Sequence, residues 1–290
     1  MNDSNRNCNL PLRAVQDHRR SYSDFLYVYP VISRRSRGLS IGVNLNPDKI
    51  CNFDCIYCEV DRLTPPRVKT VDINILRDEL IKVIQLIKTG ELSLEPRFGE
   101  ADISEIKDIA FSGDGEPTMV ENFSDFVAAV ADVRKSQSLD STKIVLITNA
   151  AGLDRADVQK GLEIMDRNNG EIWAKLDAGT EAYYKLVNRT SVKFDRILNN
   201  ILITARARPI VIQSLFLKVY GNIIPDNELD EYCARLNELV ANGARIKEVH
   251  SYTVARPTPE PFATKLSSQE LAEIAKKIRE KTNLPVFEFP

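Results

Sequence analysis

Apolar positions along the chain switch repeatedly between two periods. Leu39-Ser40-Ile41-Gly42-Val43-Asn44-Leu45 places apolar residues at every second position, which predicts a strand, and Asn46-Pro47-Asp48 ends it. Ile73, Leu76, Leu80, Val83, Ile84 and Ile87 then recur at threes and fours, predicting a helix that opens at Asp72 and stops near Gly90. The succession repeats, with strands over 108–111, 143–147, 171–176, 209–219 and 246–249. Helices are expected near 123–133, 154–165, 181–186, 194–205 and from 226, and a last one opens with Ser267 and Glu270 at capping-box spacing. Six strand-helix alternations imply right-handed crossovers and a parallel sheet, an α/β fold.

No Gly- or Ser-rich linker interrupts this pattern, so one core domain, residues 39–290, is expected. Residues 1–38 read as an irregular basic leader packed on that core. It carries Arg13, Arg19 and Arg20, then Tyr22, Phe25, Tyr27 and Tyr29, then Ser33-Arg34-Arg35-Ser36-Arg37-Gly38. The last run is either a lip that contacts an anionic substrate or cofactor carboxylate, or a solvated edge.

The loop after the first expected strand carries the chemistry. Cys51, Cys55 and Cys58 fall within eight residues, and the only histidines, His18 and His250, are far away in sequence. Clustered thiolates select zinc, copper(I) or iron-sulfur centres. Structural zinc closes with a fourth Cys or His, and a plain electron-transfer cluster takes four Cys. Three ligands on a four-iron cubane leave one iron open to a substrate or cofactor. Two readings follow: an enzyme built around an open iron, or a non-catalytic iron-sulfur or zinc protein serving electron transfer or scaffolding.

The C-x3-C-x2-C spacing with Tyr57 before the last cysteine resembles the signature of the radical S-adenosylmethionine (radical SAM) superfamily. The resemblance implies a partial (β/α)6 TIM-like barrel. It implies a [4Fe-4S] cluster on Cys51, Cys55 and Cys58, with S-adenosyl-L-methionine on the open iron. It also implies oxidoreductase chemistry through a 5'-deoxyadenosyl radical, fed by an external one-electron reductant of flavodoxin or ferredoxin type.

In parallel barrels reactive groups gather where strands end, because the loops there surround one mouth. The second expected strand ends in Ser112-Gly113-Asp114-Gly115-Glu116-Pro117-Thr118, which resembles the superfamily's Gly-Gly-Glu-Pro element. That similarity implies that Ser112, Gly113, Gly115 and Glu116 bind the cofactor's amino group; glycine lets backbone approach a ligand. Asn149 after the third strand, Lys175 and Asp177 around the end of the fourth, and Thr253 and Val254 after the sixth are further cofactor-binding candidates, as is Tyr57. Lys175 reads also as half of an internal salt bridge, Asn188-Arg189 as an anion site or a helix end, and His250 as an acid or base or, more in keeping with its setting, a structural histidine. Together with Arg256-Pro257-x-Pro259-Glu260-Pro261, these motifs resemble the branch of stand-alone iron-sulfur oxidoreductases related to tRNA wyosine-base synthases.

Formal net charge is −2, too little to recruit nucleic acid or an anionic membrane. DNA and membrane partners are therefore not expected. No apolar run reaches the roughly 18 residues of a membrane span, and the expected location is cytoplasmic. Five cysteines, three of them needed as thiolates, argue against a disulfide framework. Cys233 shares a helix face with Leu229, Tyr232, Leu236 and Val240 and reads as core, while Cys8 receives no role. Candidate substrates are a modified RNA base, tRNA included, a small metabolite, and a peptide or glycyl-radical partner, with the basic lip favouring an anionic one.

Overall fold

The structure is a computed structural model that describes residues 20–99 and 101–290. Cys8, Arg13, His18 and Arg19 lie outside the described residues. Ten strands are present among them: β1 (Val28–Ser33), β2 (Gly38–Val43), β3 (Ile106–Phe111), β4 (Lys143–Thr148), β5 (Gly170–Lys175), β6 (Ile210–Leu215), β7 (Lys218–Val219), β8 (Ile246–Tyr252), β9 (Ala263–Thr264) and β10 (Val286–Phe289). The helices are α1 (Ile73–Lys88), α2 (Phe123–Ser136), α3 (Ala156–Asp166), α4 (Glu181–Asn188), α5 (Phe194–Ala207), α6 (Asp226–Ala241) and α7 (Ser268–Thr282).

Eight strands form one curled sheet in the order β1-β2-β3-β4-β5-β6-β8-β10, parallel throughout except for β1, which runs antiparallel to β2. This is the half-barrel that the resemblance implied. Its six expected strands are all present, but two more extend it at the edges. β1 lies in a stretch expected to be irregular, and it contains Pro30. An edge strand tolerates Pro, because one row of its N–H groups has no ladder to join.

A helix 50 residues away holds the start of β1. Asp72 caps α1, accepting from the backbone N–H of Asn74 (2.8 Å) and Ile75 (3.3 Å). Leu76, Leu80, Val83 and Ile84 on one face are fully buried, each contributing about 1.5–3 kcal/mol. Glu79 is buried on that same face, and its carboxylate accepts the N–H groups of Leu26 (2.6 Å), Tyr27 (2.9 Å) and Val28 (3.1 Å). The chain is thereby fixed as it enters the sheet.

Sheet residues that face the helices are apolar, as expected of parallel strands covered by crossovers. The inner face differs. Ala110, Val145, Trp173 and Val211 form a small apolar plug inside the curl. Ser40 and Asp108 stand beside it on the cavity wall, and Glu171, Gln213, Glu248 and His250 share the same strand faces, so the barrel's interior mixes apolar and polar groups. At its far edge, Ser267 and Glu270 form the expected capping box at the start of α7.

Candidate functional site at the barrel mouth

The C-terminal ends of β2, β3, β4, β5, β6 and β8 surround one cavity of about 300 Å³. Its wall includes Cys51, Cys55, Cys58, Tyr57, Ser112, Gly113, Gly115, Glu116, Asn149, Lys175, Thr253 and Val254. Every sequence-derived site residue is therefore on this wall except Asp177, which lies behind it.

Backbone and one helix end hang the cysteine loop in place. The N–H groups of Asp54 and Ile56 donate to the carbonyls of Asn188 (3.2 Å) and Val187 (3.0 Å), the unsatisfied C-terminal carbonyls of α4. Thr190 Oγ1 donates to the Asn52 carbonyl at 2.8 Å. Asn188 Nδ2 lies 3.4 Å from Cys55 Sγ, the Phe53 N–H donates to Cys51 Sγ at 3.5 Å, and Arg62 reaches Cys58 Sγ at 3.7 Å. Each thiol thus has a donor from the chain. None is in a disulfide. Burial pushes the Cys51 thiol up and the Cys55 thiol up to about 12, so without a metal these thiols keep their protons.

No three His, Cys, Asp or Glu side chains among the described residues converge on a single-ion position.

The glycine turn packs directly on the cysteine loop. A Cβ at Gly115 would meet the Ile50 carbonyl at 2.2 Å, and one at Gly113 would meet Asn44 Oδ1 at 2.3 Å. Glycine is required at both positions by the approach of neighbouring chain. Asp114 between them is spent on structure, bonded by Asn44 Nδ2 at 2.8 Å and Arg20 at 3.1 Å. Tyr29 Oη bonds the Ser112 carbonyl at 3.2 Å.

Glu116 is buried, and the chain supplies most of its partners. Its Oε1 accepts from the Thr118 N–H (3.1 Å), Thr118 Oγ1 (2.6 Å) and Thr148 Oγ1 (2.5 Å); among the described residues Oε2 accepts only the Asn149 N–H, at 2.6 Å. Burial pushes this carboxyl up, and the four donors oppose that. Asn149 itself is tied to Asn52 (2.8 Å) and to the Ala151 N–H (3.0 Å). Ala150 beside it is buried at φ +67°, a left-handed conformation held by Asn200, which donates to the carbonyls of Ala150 and Ala151.

Lys175 forms the internal salt bridge. Its Nζ lies 3.4 Å from Asp177 and 2.7 Å from Tyr252 Oη, over the rings of Tyr57 (4.9 Å) and Tyr252 (5.2 Å). Asp177 also accepts the Leu215 N–H at 2.9 Å, Asn188 Nδ2 at 3.1 Å and the Tyr57 hydroxyl. One buried carboxylate therefore locks the tyrosine and asparagine that touch the cysteine loop. Sequence reasoning gave Asp177 as a cofactor ligand and missed Asn188's contact with Cys55; no local signal marks a residue 133 positions away.

His250 is buried off the cavity, edge-on to Trp173 (5.1 Å) and Phe289 (5.0 Å), with Nε2 on Glu248 at 2.8 Å. Burial lowers its pKa, so it is neutral. Arg189 pairs with Glu260 and stands 3.9 Å from Asp54, a helix end tied to the cysteine loop. Thr253 is fully buried, its Oγ1 accepting the Leu266 N–H at 3.1 Å. Cys233 is buried in α6.

An open, curled parallel sheet with a three-cysteine loop after its first parallel strand has the architecture of radical SAM enzymes. SuiB of Streptococcus suis, solved bound to S-adenosylmethionine, superposes with a TM-score of 0.51 at 11% identity, covering 88% of this chain and 48% of that one. No family model matches the chain. In sequence it is 31% identical over 175 residues, 60% of its length, to a UPF0026 protein of Methanocaldococcus jannaschii, covering 47% of it. It is 24% identical over 255 residues, 86% of its length, to a protein named GTPase Obg from Brachyspira hyodysenteriae, covering 32% of it. The chain thus spans about half or less of these two relatives. It contains no G-x4-G-K-[S/T] phosphate loop. No helix among the described residues is long and apolar enough to cross a membrane.

Proposed function

We propose that the protein is a radical SAM enzyme, with a [4Fe-4S] cluster on Cys51, Cys55 and Cys58 and S-adenosyl-L-methionine in the adjoining cavity. The observation that carries this is the meeting of three unpaired thiols and the Gly113–Glu116 turn on one wall at the C-terminal mouth of a half-barrel. The donor set fits: three soft ligands, each with a hydrogen-bond donor of the kind that tunes cluster sulfurs. When bound, cluster and cofactor supply one-electron cleavage to methionine and a 5'-deoxyadenosyl radical that takes hydrogen from the substrate.

The chain's own residues bind and shield. Glu116 Oε2 accepts a single hydrogen bond, which leaves a lone pair for the cofactor's ammonium. Val254 supplies apolar wall beside the buried Thr253, suited to an adenine face. Lys175 is neutralised by Asp177 and serves to fix Tyr57 and Tyr252 rather than to hold a ligand charge. Phe53, Ile56 and Tyr57, all buried, keep water from the inner side of the loop.

An oxidoreductase fed by a flavodoxin- or ferredoxin-like reductant, acting on an RNA base or a small metabolite, is the reading that this assembly supports. Anaerobic reconstitution, reduction with dithionite and addition of S-adenosylmethionine should give 5'-deoxyadenosine that disappears in Cys55→Ala. Absence of both iron uptake and cofactor binding in the wild type would overturn it.

A further inference from the structure

The cations on the cavity wall are almost all committed. Arg20 pairs with Asp114, Lys175 with Asp177, and Arg256 with Glu59; Arg34 donates to the carbonyls of Thr253 and Phe289, each at 3.3 Å. Arg62 reaches the Lys49 carbonyl and Cys58 Sγ. Arg35 differs.

Arg35 sits on the turn between β1 and β2. Its two neighbours bridge the open side of the barrel: Arg34 bonds the Phe289 carbonyl of β10, and Arg37 lies 5.5 Å over the Phe287 ring. Arg35 turns inward instead. Its guanidinium stands 4.9 Å over Tyr252 and 5.9 Å over Trp173, and it makes no hydrogen bond or ion pair with any described residue. Asp108, on the same wall, is hydrogen-bonded by Ser40 at 2.5 Å; burial pushes its carboxyl up, and the Arg35 charge acts on that carboxyl without forming an ion pair.

Further in on the same strand faces, more polar capacity is unmet. Leu215 and Tyr252 line the cavity, so Gln213 and His250, two positions back, face the same interior. Gln213 is fully buried with neither amide atom partnered, and His250 Nδ1 has no partner. Buried polar groups are normally satisfied, and an Arg fork is shaped for a planar or tetrahedral oxyanion.

We propose that Arg35, framed by Trp173 and Tyr252, receives a carboxylate or phosphate group of the substrate inside the barrel. The word substrate rests on the radical SAM reading; the anion site itself does not. A small anionic metabolite reaches a guanidinium set between Trp173 and Tyr252 inside the curl more readily than a base on an intact RNA fold does.

Trp173 is the single tryptophan of the chain, so its fluorescence reports on this site. Inorganic phosphate and acetate are titrated separately into cluster-loaded protein saturated with S-adenosylmethionine. A saturable change in emission is expected, weakened about tenfold or more in Arg35→Gln, less in Arg35→Lys, and unaltered in Arg37→Gln. The tighter of the two anions identifies the group. Absence of a saturable change, or equal binding by Arg35→Gln, overturns the proposal. An equal loss of S-adenosylmethionine affinity in Arg35→Gln assigns Arg35 to the cofactor carboxylate and also overturns it. Because the titration requires no turnover, its failure is distinct from failure to form 5'-deoxyadenosine.

Discussion

Replacing Asp177 with Ala removes a single carboxylate from beneath the cavity and leaves four donors behind. The Leu215 N–H and the Tyr57 hydroxyl are buried and lose their acceptor, at about 1–3 kcal/mol each. Lys175 loses its counter-ion but keeps Tyr252 Oη and two aromatic faces, and its side chain remains 17% exposed on the cavity. Its penalty is therefore below that of a sealed charge. The two buried donors alone come to about 2–6 kcal/mol, and the expected loss is taken as about 3–5 kcal/mol, the range found when one partner of a buried pair is removed. At roughly 2–4 °C per kcal/mol, this lowers the melting temperature by about 6–20 °C. Thermal unfolding followed by circular dichroism measures it.

A double-mutant cycle tests the cause. With Lys175→Met in the same chain, the stranded charge is gone, and the double variant should recover about 1 kcal/mol or more over the sum of the singles. A melting temperature within about 3 °C of wild type for Asp177→Ala, or strict additivity in the cycle, would refute the account of Asp177 as the lock of this network.

Two further outcomes follow from the same geometry. Gly115→Ala puts a methyl 2.2 Å from the Ile50 carbonyl, a backbone atom that cannot swing away, so the cysteine loop must shift. A displacement on the order of 1 Å should lower 5'-deoxyadenosine formation about 100-fold, with reduced iron per chain; wild-type values of both would contradict it. Burial raises the Glu171 carboxyl, but hydrogen bonds from Lys247 and Trp173 and the charge of Lys143 outweigh that and hold it at about 2. Its stabilisation is complete above about pH 4.5 and drains away as pH falls toward 2, so Glu171→Gln should flatten the acid limb of a melting-temperature profile. Parallel acid limbs in the two proteins would count against it.

The sequence alone determined what depends on neighbours close along the chain. The C-x3-C-x2-C loop, the Gly113-x-Gly115-Glu116-Pro117 turn and the six strand-helix units are local patterns. So is the Ser267–Glu270 capping box, which forms as spaced. Period and spacing express local geometry, and local geometry survives into the fold.

Tertiary structure decided the rest because it rests on distant partners. β1 exists through pairing with β2 and a carboxylate on α1, and Pro30 is harmless only because that strand is an edge. β10 is four residues long and becomes a strand by joining β8. Asn188 reaches Cys55 because the end of α4 carries the cysteine loop. Asp177, a candidate ligand in the sequence, is drawn behind the wall by Lys175 two residues before it and by three donors from three other segments. Arg34, Arg35 and Arg37 read identically as a basic run. Only the curl of the sheet sends Arg34 and Arg37 to β10 and turns Arg35 inward between two aromatic rings. A guanidinium's role is set by which partners the fold brings within reach, and that information is spread over more than 200 residues of chain.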